Sequence, residues 1–400
     1  MTHPVTHILA LALAATLSTA AAGAQALPNQ SAAATTTPTN VARVYVQTAK
    51  GVNAYTASST GKLTLVSGSP FKNTVGLMIG TAGSHFITVG TTYLHSYAIK
   101  STGGIGAQVA QINTALYPGA ECGTTDGGTI DRTGTEAYIQ LESEGIGGQC
   151  DGLQSYKINA TTGAFTFGGV AEFAGISGTV IRSPLVVAGN NGHAYTFTED
   201  YCENFSSRFY RDRFGAMNDD DSTFTFPPPP NGGEYFALAM TSDNQNVPTG
   251  HMAVALQVNY GVCEAFSPPA LASYTVDYYG NLSYNGAMLK TAINPASMAI
   301  NPQGNLLAVS AATSDPYYTK DGPGLQVFHF NGGKPITGYS NILTNNPIDS
   351  IAWDKSYHLY ATSHATNKLY VFTITPTSIT PVAGSPFTLS GPSTLVVRPL

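Results

Sequence analysis

Carboxylates collect at the ends of two predicted strands: Glu142 and Glu144 on one, Glu199, Asp200 and Glu203 on the other. Two such groups held close together suit general acid–base catalysis, or offer hard oxygen ligands to Ca²⁺. His364 lies near the end of a third predicted strand on the same rim. Glu142, Glu199 and His364 are therefore the candidate catalytic residues, and Ca²⁺ is the one cofactor the carboxylates invite. Tyr201, Tyr260 and Tyr317, with Arg208 and Arg211, are the candidate ligand-binding residues. Rings stack on sugar or peptide surfaces while neighbouring polar groups fix orientation by hydrogen bonds. The competing readings are a solvated acidic rim and aromatic side chains that pack loops onto their scaffold. His193, His251 and His329 fall at strand starts or within strands, where hydrogen-bonded structural roles are expected. No Gly-x-Ser-x-Gly segment and no spaced histidine pair typical of metallohydrolases is present, so nothing points to a nucleophilic serine or a metallohydrolase. The run Asp219-Asp220-Asp221 has the composition of a calcium loop but neither its spacing nor its glycine.

The elements that must position these residues are read from one recurring phrase. An aromatic residue closes a short apolar strand, a polar turn follows, and Gly-x-(Leu/Ile/Phe) opens the next strand. It occurs at Tyr55…Gly61-Lys62-Leu63, Tyr97…Gly103-Gly104-Ile105, Tyr156…Gly163-Ala164-Phe165 and Tyr274…Gly280-Asn281-Leu282, with weaker copies at Phe328…Gly333 and Phe372…Thr377-Ser378-Ile379. The gap from Tyr156 to Tyr274 is twice the gap before it, so one unit is hidden there, with Tyr210 near its middle. Seven units of about 50 residues, built from strands and turns, predict an all-β, seven-bladed β-propeller of four-stranded antiparallel blades. A second phrase, an inner strand, a turn and a second strand, precedes each anchor. In its clearest copy, Pro295 to Val309, the turn is Asn301-Pro302-Gln303-Gly304, where Pro presets φ and Gly accepts φ > 0.

The two ends are complementary. Val41 to Val46 reads as a second strand lacking an inner one, and Pro392 to Leu400 supplies an inner strand lacking a successor. Joined, they predict a ring closed by the C-terminal strand pairing into the first blade, which removes free strand edges. Strand order then assigns loops to faces. Second-to-third loops and blade-to-blade connections share one face; first-to-second and third-to-fourth turns share the other. The long irregular segments, 144–151, 200–209, 259–269 and 314–322, all fall on the first face, where a rigid scaffold collects binding residues. The four cysteines map there too. The expected disulfides are Cys122–Cys150 and Cys202–Cys263.

Composition narrows the function classes. Only 10% of the 400 residues are charged, against about 25% in typical soluble proteins. A net charge of −6 with 17 Lys plus Arg argues against nucleic acid and against an anionic membrane surface. The first 42 residues carry no Asp, Glu, Lys or Arg, and Ile8 to Leu17 form a short apolar stretch before small-residue cleavage sites. Residues 1–26 read as a signal peptide, 27–40 as a flexible leader rich in Ala, Thr and Pro, and 41–400 as the propeller. The expected location is periplasmic or extracellular, with no membrane insertion after cleavage.

With its Tyr…Gly-x-Leu phrase, its Gly-Ser-Pro-Phe blade endings at Gly68 to Phe71 and Gly384 to Phe387, and its Asn-Pro-x-Gly turn, the chain resembles the lactonase-like seven-bladed propellers over residues 41–400. That family includes the phosphogluconolactonase type and bacterial surface proteins with Tyr-Val-Thr-Asn repeats. The resemblance implies the fold and, for the enzymes of the family, lactone opening by His, Arg and Glu near the central channel; no motif here carries those roles over residue by residue. A phosphorylated sugar lactone also fits poorly with so few basic residues. Two expectations follow: an exported scaffold binding a sugar, glycan or protein partner through its long-loop face, or a hydrolase or isomerase of a lactone or related sugar derivative.

Overall fold

The computed structural model describes residues 39–400 apart from 117–124, 142–151, 173–179, 182–185, 188–191, 201–202, 213–215, 229–232, 244–249, 261–266 and 314–320. The described residues form seven antiparallel sheets. From inner to outer strand, blade 1 is Leu395–Pro399, Asn40–Thr48, Gly51–Ser58 and Leu63–Leu65; blade 2 is Leu77–Ala82, His85–Val89, Tyr93–Ile99 and Ile105–Asn113. Blade 3 is Thr125–Ile130, Glu136–Leu141, Gly152–Ile158 and Phe165–Glu172. Blade 4 has two short inner pieces, Val180–Ile181 and Val186–Val187, then His193–Asp200, Glu203–Arg211 and Met217–Phe224. Blade 5 is Glu234–Ser242, Gly250–Asn259, Ala270–Val276 and Leu282–Tyr284; blade 6 is Ser297–Ile300, Leu306–Ala311, Gly324–His329 and Thr337–Gly338. Blade 7 is Ser350–Trp353, His358–Ser363, Lys368–Thr375 and Ser378–Pro381.

The inner strands of most successive blades lie against one another, and blades 3 and 4 meet through their outer strands, Phe165–Glu172 and Met217–Phe224. The ring closes as the sequence predicts: Leu395–Pro399 pairs antiparallel with Asn40–Thr48, Ala42 opposite Pro399 and Val46 opposite Leu395. The apolar core is divided into seven clusters, one in each seam between adjacent blades. A blade buries both of its faces, one against each neighbour, so second strands such as Leu306–Ala311 and His358–Ser363 are buried at every residue. Such strands read as continuous apolar or small-residue runs rather than as alternation.

The anchor aromatics all sit in third strands. Tyr97, Tyr156, Tyr274, Phe328 and Phe372 are buried, and Tyr55 packs at the edge of its seam cluster. All but Tyr55, which faces Val44, pair with the second or third residue of the neighbouring strand: Tyr156 faces Ala137, Phe328 faces Leu307 and Phe372 faces Leu359. In blade 4 the equivalent residue is Phe209, opposite Ala194 and fully buried, so the anchor lies one residue before Tyr210. A shift of one residue reverses the face of a strand, and Tyr210 is accordingly 42% exposed.

Blade 4 corrects a second expectation. Residues 203–211 are its third strand rather than part of a long loop, and the connection before them is only 201–202. The segment ENFSSRFYR looks like a loop because it is polar, but Ser206 and Ser207 are buried in the sheet and both arginines reach neighbouring blades. The acidic run Asp219–Asp221 likewise lies in the outer strand of this blade. Long second-to-third connections remain in blades 3, 5 and 6, spanning 142–151, 260–269 and 312–323.

Candidate functional site

The residue that begins, or nearly begins, each second strand occupies one repeated place, just before the partner of the anchor aromatic. Round the ring these residues are Arg43, His85, Glu136, His193, His251, Leu306 and His358. Six of the seven are polar, although the strands around them are apolar. Each stands on the short-turn side of the ring, and five of them, Arg43, His85, His193, His251 and His358, meet a glycine in the third-to-fourth turn of the next blade.

That turn explains the glycine of the recurring phrase. A Cβ on Gly163 would lie 2.6 Å from the His85 ring, and one on Gly280 only 2.4 Å from the His193 ring. Both glycines also have φ in the left-handed region, +72° and +78°. Gly103, Gly332 and Gly61 approach Arg43, His251 and His358 in the same way. Where the repeated place holds Leu306, the next blade has Thr377 instead of glycine. The phrase therefore records an inter-blade socket: a ring or guanidinium from one blade packed on a bare backbone from the next.

Asp residues from the first-to-second turns fix several sockets. Asp354 Oδ2 lies 2.7 Å from His358 Nδ1 and accepts the Tyr360 hydroxyl at 2.9 Å, while Oδ1 accepts the backbone N–H of Ser356 and of His358. Burial pushes the Asp354 carboxyl up, but these hydrogen bonds and the facing imidazole outweigh it and hold it below its ordinary value. Asp243 and His251 repeat the pair at 2.7 Å in blade 5. These histidines have the structural role expected of lone strand histidines.

The seam between blades 3 and 4 carries charge instead. Arg211 reaches across from blade 4 to Asp131 Oδ2 at 3.5 Å and Glu136 Oε1 at 3.2 Å. Both carboxylates are buried, and Glu136 Oε2 and the Tyr138 hydroxyl have no hydrogen-bond partner among the described residues. Burial raises the Glu136 carboxyl to about 7; Arg211 and Lys157 oppose the rise and Asp131 adds to it.

The expected site residues separate between the two sides. Arg208 donates to Gly280 O at 3.4 Å and Asn281 Oδ1 at 3.2 Å, so it and Arg211 join blades toward the short-turn side rather than lining the long-loop face. Arg43 and Arg398 also donate across a seam, to Ser101 O and Gly83 O. His364 does lie on the long-loop side, in the turn between the second and third strands of blade 7. It is exposed, and its backbone N–H donates to Asp349 Oδ2 at 2.6 Å, placing an exposed carboxylate just before the inner strand of the same blade. Tyr260 is 55% exposed on that side, following the second strand of blade 5. Glu199 is the penultimate residue of its second strand, its backbone opposite Asn204 and Val180. Glu142, Tyr201, Tyr317 and all four cysteines lie outside the described residues.

No family model matches the chain, and no curated protein is similar to it in sequence at a significant level. Solved structures are similar in fold. A protein from Bacteroides uniformis proposed to be a 6-phosphogluconolactonase superposes with TM-score 0.59 at 13% identity, over 90% of this chain and 100% of that one. This is the fold of the lactonase-like propellers. The periplasmic gluconolactonase of Pseudomonas aeruginosa gives TM-score 0.58 at 11% identity over 89% and 99% of the two chains. A protein from Bacteroides fragilis, also proposed to be a 6-phosphogluconolactonase, gives 0.58 at 13% over 90% and 98%. The resemblance seen in the sequence is thus one of architecture, and at these identities the likeness extends to the fold alone.

The socket ring was beyond the reach of sequence reasoning because second-to-third connections differ in length, so the repeated place has no constant distance from the anchor. Its one visible trace in the sequence is the glycine of the recurring phrase.

Proposed function

We propose that this is an exported binding propeller that takes an uncharged, sugar-derived molecule at the channel mouth on the long-loop side. The observation that carries the reading is the use of its charged groups. Arg43, Arg208, Arg211 and Arg398 are all committed to contacts between blades, and the Asp–His pairs of the short-turn side each hold an imidazole against a glycine of the next blade. A phosphorylated ligand is best held by guanidinium groups, and these four are used elsewhere; an unphosphorylated polyol or lactone needs none. The exposed His364 and Asp349, the exposed Tyr260 and the long connections of blades 3, 5 and 6 all lie on the other side.

A second reading, lactone hydrolysis, is favoured by the exposed His364 side chain, at a turn whose backbone N–H holds the carboxylate of Asp349. His364 would take a proton from water as it attacks the lactone carbonyl carbon. The ring C–O bond then breaks, and a carboxylic acid at Glu142 or Glu199 would protonate the departing alkoxide. The fold likeness to a periplasmic gluconolactonase makes gluconolactone the first compound to try. Calorimetric titration with uncharged, non-hydrolysable sugars and sugar alcohols, alongside proton release from a panel of lactones, separates the readings. Binding without turnover supports the first. Turnover lost in Glu142→Gln, Glu199→Gln and His364→Ala supports the second. Neither binding nor turnover, or tighter binding of phosphorylated sugars, overturns both.

A further inference from the structure

The turn between the third and outer strands of blade 5 carries two adjacent tyrosines that the fold does not need. In the same two positions before the socket glycine, blade 1 has Ser59-Thr60, blade 2 Ser101-Thr102 and blade 3 Thr161-Thr162; blade 5 has Tyr278-Tyr279. Three copies thus make the turn with small hydroxyl residues. The two tyrosines are also not packing residues, being 77% and 72% exposed. Their rings meet edge to face, centroids 5.3 Å apart and planes at 89°.

The backbone beneath them is held firmly. Asp277 Oδ1 accepts the N–H of both Tyr279 and Asn281 at 2.8 Å, and Asp277 Oδ2 accepts Asn281 Nδ2 at 3.0 Å. Gly280 O accepts the Tyr195 hydroxyl at 2.6 Å, with Arg208 at 3.4 Å. A third exposed ring borders the same seam. Tyr210 is the cross-strand neighbour of His193, on which Gly280 is seated, and it shares a strand face with Arg208, which reaches this turn. Exposed tyrosines on a rigid turn lose little conformational entropy on binding, which is the condition for a useful contact.

We propose that Tyr278, Tyr279 and Tyr210 form a carbohydrate-binding platform on the short-turn side, for a neutral polysaccharide or oligosaccharide chain and separate from the ligand site on the opposite side. The C–H face of a pyranose stacks on an aromatic ring. The side chains flanking the rings, Asp277, Asn281 and Arg208, are hydrogen-bonding groups suited to hydroxyls, rather than the apolar rim a hydrophobic partner would need. Three rings on two blades fit successive sugars of a chain better than a single monosaccharide. A phospholipid surface is disfavoured by the net charge of −6.

The test uses the whole chain against insoluble cellulose and chitin in pull-downs, and against cellohexaose and chitohexaose by calorimetry. The double variant Tyr278→Ser/Tyr279→Thr gives blade 5 the turn that blades 1 and 2 already have, so it is expected to fold with an unchanged thermal midpoint. Retention of the wild type on one of these glycans, with affinity reduced about tenfold or more in the double variant and again by Tyr210→Thr, is the expected result. Lactone or neutral-sugar binding at the opposite side is expected to be unaffected in all of these variants, so failure here is distinguishable from failure of the proposed function. Absence of binding to all four probes, equal binding by wild type and double variant, or self-association of the wild type that the double variant abolishes would each overturn the proposal.

Discussion

Replacing Glu136 by Gln should change how stability depends on pH. Two buried carboxylates, Asp131 and Glu136, both meet the guanidinium of Arg211, with Lys157 opposite Glu136 on the neighbouring strand. Burial sets the Glu136 carboxyl at about 7, from an ordinary 4.5. Because the folded value is the higher one, the folded state holds a proton that the unfolded chain has already released between those two values. The stabilisation is fully present below pH 4.5 and is lost as pH rises through 7. At 1.36 kcal/mol per pH unit, the interval corresponds to at most about 3 kcal/mol. Gln reproduces the neutral acid without ionising. The variant should match the wild type near pH 5 and exceed it by about 2–3 kcal/mol at pH 8. Urea midpoints measured every half unit from pH 4.5 to 8.5 read this directly. Parallel profiles for the two proteins would refute the reasoning, and a wild type that gains stability toward pH 8 while the variant does not would reverse its sign.

Two further substitutions probe the sockets. Gly280→Ala places a Cβ 2.4 Å from the His193 ring at a φ of +78°, and should cost about 3 kcal/mol. His193→Ala in the same chain should recover at least about 1 kcal/mol of that loss in a double-mutant cycle, a coupling readable from urea midpoints. Asp354→Ala leaves His358 and the Tyr360 hydroxyl buried without their acceptor and should cost about 3–5 kcal/mol, measured the same way at pH 7.

The blade count, the position of the aromatic anchors in third strands and the closure of the ring were legible in the sequence because each depends on local phrases: an aromatic, a turn, a glycine, a short apolar strand. The sheet register of blade 4 was not. Phe209 and Tyr210 are adjacent aromatics, and only pairing with Ala194 decides which of them is buried. Arg208 and Arg211 looked like ligand residues because they are the rare basic groups of a weakly charged chain. In the structure, that rarity reflects their use at seams. His364 was correctly assigned to the long-loop side, since strand direction alone determines the face. Its neighbour Asp349 was missed, because it belongs to a connection that enters the blade from the one before.

The pairing of residues 40–48 with 395–399 also has a kinetic meaning. Its partners are separated by nearly the whole chain, so the loop-closure entropy of this contact is the largest in the molecule and is recovered last. Until then the strand 40–48 presents an unpaired edge, and the seam cluster containing Val44, Leu395 and Val397 is incomplete. The molecule thus resembles a clasped bracelet: six blades can form in turn from local contacts, but none of the gain from a continuous ring is realised before the clasp engages. Variants that weaken this strand pair should slow the final folding phase and increase aggregation during refolding, well beyond what five residues of lost contact would suggest.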